Sequence, residues 1–154
     1  MPRKLKILYK RNKKNKRNTK KGYYMGSITR NFSHSEVACK CGKCKGNSRI
    51  SQDLMLSLQT MRDSLGPLYI NSGVRCSRHP ESISRPTSSH IPKDIDDLQG
   101  KCGHAVDVKV ENSRHKFKII DAALKAGIRR IGVGTNFVHI DNDITKPQAV
   151  MWTY

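Results

Sequence analysis

The chain has 154 residues, 36% of them apolar, and a formal net charge of +18. That length suits one domain with a core of its own and little more. No apolar run approaches the roughly 20 residues of a membrane span, and none follows the basic N-terminus to form a signal peptide.

Charge is the first feature along the chain. Eleven of the thirty Lys and Arg fall between Arg3 and Lys21, and no acid precedes Glu36. Residues 1–22 therefore read as a disordered or extended basic tail on a milder domain, residues 23–154. Such a block either solubilises the chain or binds a polyanion: nucleic acid, lipopolysaccharide, an anionic membrane or a wall polymer. Leu5, Ile7, Leu8 and Tyr9 give it one short apolar face.

The ordered part opens at Phe32-Ser33, where Ser33 and Glu36 have capping-box spacing and predict a short helix or turn. Five cysteines are an odd count, and reduced thiols are the default without a secretory leader. Cys41-Gly42-Lys43-Cys44 followed by Gly46 looks like one knuckle of a zinc ribbon, but no second CxxC follows. Cys76 and Cys102 are the remaining thiols that could complete a four-cysteine site with two of the cluster; free or locally paired thiols are the simpler expectation.

Ser51 reads as the N-cap of an amphipathic helix with Leu54, Leu58, Met61 and Leu65 on one face, stopped by Gly66-Pro67. Leu68-Tyr69-Ile70 reads as a short strand. The segment from Gly73 to about Gly103 lacks periodicity, and a loop that long is functional or disordered. Residues 105–110 alternate, with Val106, Val108 and Val110 on one side and Asp107 on the other. Asn112 or Ser113 caps a second helix, with Phe117, Ile120 and Leu124 inward and Gly127 at its end. Ile128–Val133 and Phe137–Asp141 form a hairpin joined by a Gly-containing turn. Val150–Tyr154 is a last apolar segment, and Trp152 and Tyr154 are expected to close the core. The fold class is α+β: a small antiparallel sheet flanked by helices, with a site on the sheet face.

Three side chains in this order suit a metal: His90 in a loop, Asp107 on one strand and His139 on another. Two imidazoles and a carboxylate fit Zn²⁺ with a coordination position left for water. His139 and Asp141 are two apart and share a strand face. His104 and Asp107 are three apart and face opposite sides, which disfavours His104 as a ligand partner.

Asn71-Ser72-Gly73-Val74-Arg75, Ser88-Ser89-His90, Gly103-His104-Ala105-Val106-Asp107, Phe137-Val138-His139-Ile140-Asp141 and a closing Trp152 together resemble the zinc D-alanyl-D-alanine carboxypeptidases. That family includes bacteriophage endolysin peptidases, and its wider clan includes lysostaphin and the Hedgehog signalling domain. Its pattern is Ser-x-His-x-x-Gly-x-Ala-x-Asp with a distal His, and residues 32–154 follow its order. The resemblance implies His90, Asp107 and His139 as zinc ligands, Ser88 as a supporting residue, and Arg75 as the contact to a substrate carboxylate or oxyanion.

Two departures from the pattern stand out. Residues 91–100, with Pro92, Asp94, Asp96 and Asp97, are inserted where the family has a tight turn, and read as a lid or specificity loop. Many members place the general base as an acid three residues before the distal His or a His two before it. Those positions are Asn136 and Phe137, and neither takes a proton from water at neutral pH. Asp141 is the substitute base by strand periodicity; its other reading is an orienting group or salt bridge.

The resemblance implies a zinc peptidase acting on peptidoglycan stem peptides, of D-Ala-D-Ala carboxypeptidase or L-Ala-D-Glu endopeptidase type. It also implies a phage-encoded chain, held in the host cytoplasm until assisted release or carried in the virion. The competing expectation is a non-catalytic zinc-binding structural or virion protein whose tail binds nucleic acid or a neighbouring subunit.

Overall fold

The computed structural model describes residues 27–94 and 100–154. The tail at 1–22, and residues 95–99 of the inserted segment with Asp96 and Asp97, lie outside the described residues. In chain order the elements are α1 (His34–Val37), α2 (Gln52–Leu65), β1 (Ile70–Ser72), α3 (Pro80–Ser84), β2 (Ala105–Lys109), α4 (Ser113–Lys125), β3 (Arg130–Val133), β4 (Phe137–Asp141) and β5 (Val150–Thr153).

Local signals set most of these. The Glu36 carboxylate accepts from the Ser33 backbone N–H at 2.7 Å, which opens α1. Ser51 Oγ accepts from the Leu54 N–H and caps α2, and Gly66 ends it at φ 87°. Leu54, Leu58 and Met61 are buried as their spacing requires, with Met55 beside them. Asn112 Oδ1 accepts from the His115 N–H and caps α4.

The inward face of α4 differs from expectation. Ile119, Ala122 and Ala123 are buried, while Phe117 and Leu124 are mostly exposed. The helix turns its small side chains inward because α2 and β4 crowd that face; alanines allow the closer approach. The first strand is also shifted: Leu68 and Tyr69 precede it, and it runs through Ser72. Inside the 73–103 segment lies α3, which sequence periodicity did not reveal; Pro80 sits in its first turn and His79 caps it.

The five strands form one sheet in the order β1-β2-β4-β3-β5. The first three pairings are antiparallel, including the β3–β4 hairpin. The sheet is mixed, because β5 pairs parallel to β3. After β4 the chain must cross back through 142–149, so its last strand enters beside β3 in the same direction as β3. Val106 and Val108 of β2, Ile131 of β3, and Val138 and Ile140 of β4 join α2 and α4 in the core. The helices therefore cover one sheet face, and the alternate residues of each strand face away from them.

The crossing loop is organised by Asp143, which is fully buried. Its carboxylate accepts from Ser89 Oγ (2.9 Å), Lys93 Nζ (2.6 Å) and the Thr145 N–H (3.1 Å). Burial alone would raise its pKa, but the Lys93 ammonium and the Thr145 and Ser89 hydroxyls outweigh burial and lower it from 3.8. Its stabilisation is present above that ordinary value and is lost as pH falls through the lower folded value. Asp143→Asn is expected to cost about 3 kcal/mol at neutral pH. Urea unfolding at pH 7 and pH 3 checks both statements: the gap between wild type and variant should narrow in acid.

Candidate active site

Sheet register assembles the site. Ser72 on β1 pairs with Asp107 on β2, Asp107 with His139 on β4, His139 with Gly132 on β3, and Gly132 with Trp152 on β5. This row crosses the whole sheet on the face away from the helices. His90 comes from the loop after α3 and is pinned there by backbone bonds from Arg75 N–H to its own carbonyl (3.0 Å) and from His104 N–H to the Ser89 carbonyl (2.8 Å).

Three donor atoms meet above the row. His90 Nε2 lies 3.2 Å from Asp107 Oδ1 and 3.2 Å from His139 Nδ1, and these last two are 3.0 Å apart. All three residues are buried. The far nitrogen of each imidazole has an acceptor of its own. His90 Nδ1 donates to the Gly73 carbonyl at 2.6 Å, and His139 Nε2 donates to Asp141 Oδ2 at 2.8 Å. Those bonds fix the tautomers and leave His90 Nε2 and His139 Nδ1 as lone pairs, both turned to the same carboxylate oxygen. Three lone-pair donors at such separations repel one another unless a cation lies among them.

This donor set fits zinc. Ligand distances of about 2.0–2.1 Å give a tetrahedral edge of about 3.3–3.4 Å, within a few tenths of the separations here. His90, Asp107 and His139 supply three of four positions, which leaves one side open to the cleft.

Neighbouring charges shape the set. Burial pushes His90 down, away from protonation. Burial also opposes charge on His139, but Asp107 and Asp141 outweigh it and raise its pKa. A proton and a metal ion compete for the His139 lone pair, so metal affinity falls in acid. Burial opposes charge on Asp107, but a second proton on His139 or His90 would supply an N–H bond and a positive charge that outweigh burial and hold its carboxyl below the ordinary carboxylate range.

A family model described as peptidase M15 matches residues 30–141. The chain belongs to the M15 peptidase family. No curated protein and no solved structure matches it. M15 membership makes the chain a zinc-dependent metallopeptidase by family, with a peptide as substrate.

The other residues singled out in the sequence fall into distinct places in this M15 domain. Asp141 stands behind His139, on Nε2, and its second oxygen accepts from Arg130 Nε at 2.6 Å and from the Asp143 N–H at 3.1 Å. Arg75 donates through NH2 to Asp107 Oδ2 (2.8 Å) and through Nε to Ser72 Oγ (2.9 Å), and pairs with Glu81 through NH1 (2.8 Å). Its guanidinium thereby turns the other Asp107 oxygen toward the histidines. Ser88 lines the cleft, and its Oγ accepts from the His90 N–H at 3.3 Å. His104 is buried elsewhere, beside Asn142 and Cys102. Asn136 is exposed, while Phe137 lines the cleft.

Trp152 and Tyr154 do not close the core. They line the cleft, with their rings 5.4 and 6.4 Å from the His139 ring. Gly132 makes this possible, since a Cβ there would lie 2.7 Å from the Tyr154 ring and 2.8 Å from the indole. The cleft holds about 910 Å³. Glu81, Arg85, Arg130 and Lys146 also line it and were not singled out from sequence. A signal existed for Arg130, whose hairpin register places it opposite Asp141. No local pattern marked Glu81, Arg85 or Lys146.

Proposed function

We propose that this M15 domain, residues 23–154, is a zinc peptidase that hydrolyses peptidoglycan stem peptides, as a D-Ala-D-Ala carboxypeptidase or an L-Ala-D-Glu endopeptidase, and is phage-encoded. The observation that carries the reading is the convergence of His90 Nε2, Asp107 Oδ1 and His139 Nδ1, with the far nitrogen of both rings already bonded. When bound, zinc would acidify a water and polarise the scissile carbonyl.

The chain's own residues have separable tasks. Asp141, backed by Arg130, holds the His139 ring and its tautomer; its place on Nε2 supports a positioning role rather than the base role expected from periodicity. Arg75 orients Asp107 and ties it to Glu81. Glu81, Asp107 and Asp141 are the acids among the described lining residues. With Asp107 turned to the donor set and Asp141 behind the ring, Glu81 is the carboxylate left to accept a proton from the attacking water. Arg85 and Lys146 suit the free carboxylates of a stem peptide. Trp152 and Tyr154 wall the site on the β5 side and restrict solvent.

The tail at 1–22 would gather the enzyme on an anionic polymer such as a wall polymer, lipopolysaccharide or nucleic acid. Release from the host cytoplasm with help, or carriage in the virion, would bring it to its substrate.

Purified peptidoglycan incubated with the zinc-loaded chain should yield new amines or free D-alanine, with His90→Ala silent. Zinc bound at His90, Asp107 and His139 without any cleavage would overturn the peptidase reading in favour of a non-catalytic virion protein. Glu81→Gln is expected to lower kcat about 100-fold with zinc content unchanged. Steady-state kinetics with metal analysis checks this; an unchanged kcat removes Glu81 from the proton transfer.

A further inference from the structure

Four of the five cysteines gather in a cluster separate from the His90, Asp107 and His139 donor set. The Sγ atoms of Cys39, Cys41, Cys44 and Cys76 all lie within 4.8 Å of one another. Cys41 Sγ is 3.5 Å from Cys44 Sγ and 3.4 Å from Cys76 Sγ. These are not disulfides, whose sulfurs stand about 2.05 Å apart. They match four thiolates around one ion: Zn–S bonds of about 2.3 Å give a tetrahedral edge of about 3.8 Å.

The surrounding backbone is shaped to the sulfurs. Gly42, Lys45 and Gly46 all have positive φ, at 70°, 55° and 73°, so the loop after α1 reverses tightly around the cluster. Lys45 adopts that conformation despite its side chain. The Lys43 N–H donates to Cys41 Sγ and the Cys76 N–H to Cys39 Sγ, each at 3.3 Å. Such N–H···S bonds offset the negative charge that thiolate ligands carry. Cys102, a conceivable fourth thiol by sequence, is instead next to His104 at 3.5 Å.

We infer that Cys39, Cys41, Cys44 and Cys76 bind a second zinc ion in a closed four-thiolate site that braces the active site from behind. Four thiolates leave no open position, so the site is structural. Its ligands come from the loop after α1 and from the segment after β1. Cys76 follows Arg75 directly, and Gly73 lies three residues before it. Gly73 supplies the carbonyl that fixes His90, and Arg75 fixes Asp107. Two further links join the same segments: Lys40 Nζ to the Asn71 carbonyl (3.1 Å) and Arg78 to the Lys43 carbonyl.

The inference does not depend on the peptidase reading, and the test separates them. The full-length chain, purified under reducing conditions, is expected to carry one zinc more than the catalytic site accounts for. The double variant His90→Ala/His139→Ala should therefore still retain zinc. Exchange with Co²⁺ should give an intense near-ultraviolet thiolate-to-cobalt band in the wild type and in that double variant, and Cys44→Ser should weaken it. Absence of the band in wild-type protein overturns the site, and that readout needs no variant to fold. Equal rates of thiol modification in the native zinc-loaded chain and the denatured chain would overturn it as well.

Discussion

Asp107→Asn is expected to leave the chain folded and to reduce hydrolysis by on the order of 10⁴-fold or more, a loss set against the roughly 10⁶-fold or greater acceleration that enzymes supply. The change keeps the shape of the side chain and removes its charge. Asp107 Oδ1 is the anionic member of the donor set, and Oδ2 is the partner of Arg75. An amide nitrogen or a neutral oxygen replaces the carboxylate facing two imidazole lone pairs, so zinc affinity at this site should collapse. Arg75 keeps Glu81 and Ser72, so the stability loss should be about 1–2 kcal/mol. Kinetics, metal content and urea unfolding on one preparation separate the three effects. Retained zinc with retained turnover would remove Asp107 from the site.

Asp141→Asn should behave differently from Asp107→Asn. It takes the charge from behind His139 while leaving the ligand atoms in place. Groups of this kind typically alter metal affinity about 10–100-fold. A much larger loss would return Asp141 to a direct part in proton transfer.

The sequence carried those features whose cause is local. Ser51 and Asn112 cap helices because their side chains reach a backbone N–H three residues on, and Gly66 ends α2 because only glycine adopts its φ cheaply. The β3–β4 hairpin and the valine face of β2 follow from short-range alternation. His90, Asp107 and His139 were nameable because their neighbours form a family pattern, not because spacing alone brings them together. Features that depend on distant packing were hidden. Which face of α4 turns inward is decided by the space α2 leaves, and that space suits Ala122 and Ala123 over Phe117 and Leu124. The parallel β5 depends on where the Asp143 loop releases the chain. That choice also places Trp152 and Tyr154 on the catalytic row instead of in the core. Cys76 meets Cys39, Cys41 and Cys44 only where the segment after β1 packs against the end of α1, its Val74 N–H bonding the Val37 carbonyl.

Gly73→Ala is expected to damage stability and activity together, because one backbone atom group serves both. A Cβ at Gly73 would lie 2.5 Å from the Val37 carbonyl oxygen and 2.6 Å from the Val37 Cα. Both are backbone atoms, and the Val74 N–H already bonds that carbonyl at 2.8 Å. No side-chain rotation relieves the clash, so α1 and the segment after β1 must separate. Overpacking usually costs 1–3 kcal/mol; against backbone the expected cost is about 3 kcal/mol or more. The displaced segment carries the carbonyl that fixes His90, with Arg75 two residues on. Turnover measured well below the unfolding midpoint should therefore still fall, alongside weaker zinc binding. Two companions make the argument testable. Adding Val37→Ala should not rescue the variant, since trimming that side chain leaves the clashing atoms in place. Gly66→Ala, where a Cβ meets nothing within 4 Å, should show only the strain of its positive φ, about 1–3 kcal/mol, with catalysis intact. Rescue by Val37→Ala would mean that the close approach of the two backbones is not what requires glycine at position 73.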